Sequence, residues 1–97
     1  MHPLYDVTNF AIMGPYTLRV TFDDRLEQII NFEPVLQGEI FGPLRDLQLF
    51  NQVRLDAEVA TLFWPNGADF DPYTLHEWPR LVAQLTAQAK QWELERV

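Results

Sequence analysis

Residues 16–32, Tyr16-Thr17-Leu18-Arg19-Val20-Thr21-Phe22-Asp23-Asp24-Arg25-Leu26-Glu27-Gln28-Ile29-Ile30-Asn31-Phe32, decide the fold class. Tyr16, Leu18, Val20 and Phe22 alternate with Thr17, Arg19 and Thr21, which is the period of a strand with one buried face. After Asp23-Asp24-Arg25 the alternation resumes, with Leu26, Gln28, Ile30 and Phe32 opposite Glu27, Ile29 and Asn31. Two such runs about a short acidic turn spell an antiparallel hairpin. Upstream, Tyr5 to Ile12 is rich in β-formers (Val7, Thr8, Phe10, Ile12) and stops at the turn dipeptide Gly14-Pro15, which adds a first strand. The expected start is therefore a three-stranded antiparallel meander.

Downstream, Glu33-Pro34 ends the third strand, because proline brings no N–H to a ladder and biases its predecessor away from helix. Gly38, Gly42 and Pro43 punctuate a connecting segment, and Pro43 to Phe50 is expected as a short helix burying Leu44, Leu47 and Phe50. Val53-Arg54-Leu55 and Val59 to Trp64 flank Asp56-Ala57-Glu58 as a second hairpin. Trp64-Pro65 closes it, and Asn66-Gly67 supplies the positive φ of a tight turn. Asp71 is placed to cap a helix whose first position is Pro72, running through Trp78 until Pro79 breaks or restarts it. From Arg80 onward Leu81, Val82, Leu85, Ala89 and Trp92 recur at helical spacing, while Gln84, Gln88, Lys90 and Glu93 fall on the other side.

The class is thus α+β: a meander, a short helix, a second hairpin, and a C-terminal amphipathic helix packed on the sheet. A chain of 97 residues supports one core, so residues 1–97 form a single domain, with 4–79 the α+β body and 80–97 the terminal helix. How the two hairpins join is left open.

Charge narrows the partners. The net charge is −7, and lysine occurs only at Lys90, so no basic stripe exists to neutralise phosphates. Direct nucleic-acid binding is not expected, and basic partners should prefer the acidic, β-rich part. With no cysteine and no serine, disulfides, thiolate metal sites and the two commonest covalent nucleophiles are excluded. The start of the chain lacks the pattern of a secretory signal, and no run of about 18 apolar residues exists to span a membrane, so a cytoplasmic location is expected.

Several short patterns resemble one bacterial family: Pro34 with Gly38, then Phe41-x-Pro43-Leu44-x-Asp46, Phe50, Val53-x-Leu55-Asp56, and above all Trp64-Pro65-Asn66-Gly67-Ala68-Asp69-Phe70-Asp71-Pro72. The chain is similar over most of residues 5–76 to domain-of-unknown-function family 2442. It departs where many relatives have aspartate-glycine in the first hairpin, showing Asp24-Arg25, and where they have glycine before Thr61, showing Ala60. The resemblance implies an α+β fold and no established activity. Some relatives carry a helix-turn-helix after this domain, for which the roughly 18 residues after Pro79 are too few. Others are encoded beside a second small protein, in arrangements like toxin–antitoxin pairs.

Individual candidates are few. Asn66, Asp69 and Asp71 offer oxygens within six residues, but no acidic residue closes a calcium loop, so they are taken as turn and cap residues and no metal or cofactor is expected. His76 could act as a general base paired with Asp69, Asp71 or Glu77, yet without a neighbouring nucleophile a half-buried helix histidine is favoured. His2 adjoins the terminus and is expected to be disordered. Asp23, Asp24 and Glu27 are expected as a solvated turn. Trp64 and Phe70 are large enough to anchor an interface, though core burial is the commoner fate. The candidate recognition set is Trp64, Asn66, Asp69, Phe70, Asp71 and His76. The reading is a small protein-interaction or regulatory module with a protein partner, antitoxin-like by analogy, with no membrane association and with a sheet edge that admits a homodimer. The alternatives are a carboxylate- and histidine-dependent enzyme or a structural homo-oligomer.

Overall fold

The structure, a computed structural model, describes residues 5–95; His2 lies outside the described residues. Strands β1 (Val7–Gly14), β2 (Thr17–Phe22) and β3 (Glu27–Asn31) form an antiparallel sheet in the order β1-β2-β3. Leu18 pairs with Ile12 and Ile30, Arg19 with Ala11 and Ile29 in the register of the three strands. The alternation survives intact: Leu18, Val20, Phe22 and Ile30 are buried, while Ile29 on the opposite face is 64% exposed. In the β2–β3 turn the Asp24 carboxylate accepts from Leu26 N at 3.0 Å, and Arg25 adopts φ 72°.

A second sheet pairs β4 (Arg54–Asp56) with β5 (Thr61–Phe63). The hairpins join where Val7 N donates to Ala60 O at 2.8 Å, which seats the start of β1 beside the second hairpin. Between the sheets, a 3-10 turn over Glu33–Val35 leads to α1 (Gly38–Phe41), a 3-10 segment Gly42–Arg45 and α2 (Leu47–Phe50). The expected helix over Pro43 to Phe50 is corrected to two short pieces. Asp46 breaks it with an extended ψ of 112° and caps α2 through Gln48 N, so Leu44 and Phe50 are buried but Leu47 stays 38% exposed.

Helix α3 (Pro72–His76) is capped by Asp71, whose carboxylate accepts from Thr74 N at 3.2 Å. Helix α4 (Trp78–Glu95) starts afresh with Pro79 in its first turn, where the missing proline N–H costs nothing. Val82, Leu85 and Trp92 of α4 lie partly buried against the core, and Ala89 is fully buried. They pack on the Glu33–Val35 turn, on α1 and on α3. Gly38, at φ +87°, permits this approach: a Cβ there would stand 3.2 Å from Trp92 Cβ. The core centres on Phe32, whose ring lies 5.1–5.9 Å from those of Phe50, Trp64, Phe70 and Trp78. Such tilted and edge-on pairs add about 0.5–1.5 kcal/mol each beyond area burial.

Candidate functional site

The chain from Trp64 to Asp71 folds as a corner held from inside. Trp64 is 1% exposed, and its indole N–H donates to Phe50 O at 2.9 Å. Phe70 is also buried, and Thr61 donates its hydroxyl to Phe70 O. Trp64 N donates to Ala68 O at 2.9 Å and Gly67 N to Trp64 O at 3.0 Å, with Gly67 at φ 91° closing the turn. Phe63 and Asp69 form an isolated antiparallel bridge that ties the far side of the turn back to β5. Trp64 and Phe70 are therefore walls of the core.

Asn66, Asp69 and Asp71 face solvent. The Asn66 amide is nevertheless engaged twice, donating from Nδ2 to Ile40 O at 2.8 Å and accepting from Ala68 N at 3.2 Å. It locks the corner to α1, and it sets an exposed hydrophobe, Ile40 at 52% exposure, beside it. Asp71 serves as the α3 cap, and Asp69 makes no side-chain hydrogen bond or ion pair among the described residues.

His76 stands apart from those aspartates. Its Nε2 lies 2.8 Å from Asp24 Oδ2 and its Nδ1 2.7 Å from Glu77 Oε2. Tyr5 stacks flat on the imidazole, with centroids 3.6 Å apart and planes 3° from parallel, and Phe22 meets it edge-on at 4.9 Å. Gln28 donates to the His76 carbonyl at 2.8 Å, and Arg80 pairs with Glu77 at 3.3 Å. Ionised carboxylates can only accept, so the two contacts are both satisfied when each ring nitrogen carries a proton, which favours the imidazolium form of His76. Burial, the largest single effect, disfavours that charge, but the hydrogen bonds and charges of Asp24 and Glu77 together outweigh it and raise the pKa above its ordinary 6.5. The hydrogen bond from His76 in turn holds the carboxyls of Asp24 and Glu77 below their usual range.

This arrangement is suited to fastening and not to proton transfer. Both ring nitrogens are occupied by carboxylates, so neither is directed at a substrate or at a hydroxyl nucleophile. The two nitrogens diverge toward separate acids, and among the described residues no three His, Asp or Glu side chains converge on one cation position. The pairing of His76 with Asp69 or Asp71 considered from sequence is replaced by pairing with Asp24 and Glu77. Of these, Glu77 was visible as an adjacent carboxylate. Asp24 was not, because it stands 52 residues away and reads locally as a turn acid. Tyr5 and Ile40 likewise carry no local signal of their roles.

The sequence model of a family described as "Protein of unknown function (DUF2442)" matches residues 7–80, from β1 into the first turn of α4. No curated protein and no solved structure matches the chain.

Proposed function

The chain belongs to the DUF2442 family, and from that premise we propose that it is a protein-interaction module whose recognition surface is the outside of the Pro65–Asp71 corner together with α1. The observation that carries this reading is the Asn66–Ile40 bond of 2.8 Å. It fixes two short segments in one frame, and those segments carry an exposed apolar side chain, Ile40, and the exposed acids Glu39 and Asp69. Rigid presentation lowers the entropy that binding must overcome, and an exposed aliphatic group on segments that also carry exposed acids suits a basic partner with an apolar centre. The chain's net charge of −7 favours such a partner and disfavours nucleic acid. The role proposed is regulatory: capture of a second small protein in the manner of an antitoxin.

The test is affinity capture from the native cell with the untagged-equivalent chain and an Ile40→Lys, Asp69→Lys variant. Both altered side chains are exposed, so the melt should not change. A stoichiometric basic partner retained by the natural chain and lost by the variant is the expected result. Equal retention by both would overturn the assignment of the corner.

A further inference from the structure

We infer that β3 is the seam of a homodimer, pairing antiparallel with β3 of a second copy about a two-fold axis at Ile29. This inference does not rest on the recognition corner, which lies on other segments. Phe32 N donates to Tyr16 O and Phe22 N to Leu26 O, so the hydrogen-bonded pairs of this antiparallel ladder are the even-numbered ones, with Gln28 and Ile30 directed at β2. Glu27, Ile29 and Asn31 therefore turn their N–H and C=O outward. Among the described residues no backbone hydrogen bond meets them.

The other edge of the sheet is different. β1 begins against the second hairpin through Val7 N to Ala60 O, and its pairing with β2 is twice interrupted by register shifts. Edges are ordinarily protected by charges, proline, bulges or cover. Among the described residues β3 has none of these except Glu27 at one end: its register with β2 is unbroken, and Ile29 at its centre is 64% exposed.

The sequence of β3 also selects the register. With Ile29 on the axis, Ile29 faces its copy, Glu27 faces Asn31 of the second copy and Asn31 faces its Glu27. No like charges meet, an apolar pair fills the centre, and every outward backbone group finds a partner. Moving the axis to Glu27 would oppose two carboxylates; moving it to Asn31 would set Ile29 against Glu33. On the inner side Gln28 would neighbour Ile30 of the second copy, and its amide is already satisfied by the His76 carbonyl. A five-residue seam is small beside a standard interface, so the dimer is reversible.

The chain has no cysteine, which makes the register directly measurable. A hydrogen-bonded antiparallel pair holds its Cα atoms about 5.5 Å apart, within the range a disulfide spans, so an Ile29→Cys variant should cross-link to its own copy on mild oxidation. In a Glu27→Cys variant the two cysteines would stand about 14 Å apart, and cross-linking should be lost. Sedimentation of the natural chain should show mass rising from 11.4 kDa toward twice that value with concentration. An Ile29→Lys variant, with two ammonium groups facing on the axis, should stay near 11.4 kDa and melt as the natural chain does at concentrations where that chain is monomeric. A natural chain that remains monomeric up to about 1 mM would overturn the proposal. So would a dimer that Ile29→Lys leaves intact, or equal cross-linking at positions 27 and 29.

Discussion

Ala60 and Arg25 hold φ at 55° and 72°, the left-handed region that disfavours a Cβ. These are the same two positions at which the family resemblance read from the sequence implies glycine. Ala60 cannot relax, because its carbonyl accepts from Val7 and its N–H donates to Asp56 O at 2.7 Å. Arg25 is held by its own bond to Phe22 O at 2.9 Å. Relieving the strain outweighs the extra freedom glycine gives the unfolded chain, so Ala60→Gly and Arg25→Gly should each stabilise the fold by about 0.5–1 kcal/mol, measured by urea denaturation. Asp71 gives the opposite sign. Its removal leaves Thr74 N without its acceptor, and Asp71→Ala should cost about 0.5–2 kcal/mol. Because the loss is of a cap and not of a ligand, neither calcium nor chelator should shift the melt of either protein.

At the scale of elements, His76 fastens three segments: the start of the chain through Tyr5, the β2–β3 turn through Asp24, and the end of α3 through Glu77. Its neighbours on those elements, with Arg80 and Tyr73 on the helical side, set its titration. The raised His76 value means that its contribution is fully present below the unfolded pKa of 6.5 and is lost as pH rises through the folded value. The depressed values of Asp24 and Glu77 act in reverse: their contributions are present above 3.8 and 4.5 and are lost as pH falls through the folded values. Melting temperature should therefore peak between pH 4.5 and 6.5 and decline toward alkaline pH. A His76→Gln variant, less stable throughout, should lose the alkaline decline. An unchanged decline in that variant would place the titrating group elsewhere.

This fastening also marks where sequence reading stops. The hairpin over residues 16–32, the Asp71 cap, the Gly67 turn and the stripe of α4 are all encoded within a few residues, so period and punctuation suffice to find them. Asp46 was harder, since an aspartate in a run of leucines caps a helix only if the preceding turn has already ended. The contacts His76–Asp24 and Val7–Ala60 join residues far apart in sequence, and nothing local to either partner announces the other.

For the molecule as a whole, α4 decides whether the core is closed. It brings fully buried Ala89 and partly buried Val82, Leu85 and Trp92 to a chain that has little other cover for the Glu33–Val35 turn and α1. Ending the chain after Pro79 should therefore abolish the cooperative melt and leave insoluble or molten protein, whereas an unchanged transition would show that α4 is dispensable.

The seam where Trp92 crosses Gly38 has an optical consequence. Trp64 and Trp78 are buried at 1% and 5% exposure, while Trp92 is only partly covered. Acrylamide should thus quench one of the three indoles well ahead of the other two, and the accessible emission should lie at the longer wavelength. Trp92→Phe would remove that component alone, turning the remaining fluorescence into a report on the aromatic centre around Phe32. Light emitted by the natural chain would then distinguish detachment of α4 from loss of the whole fold.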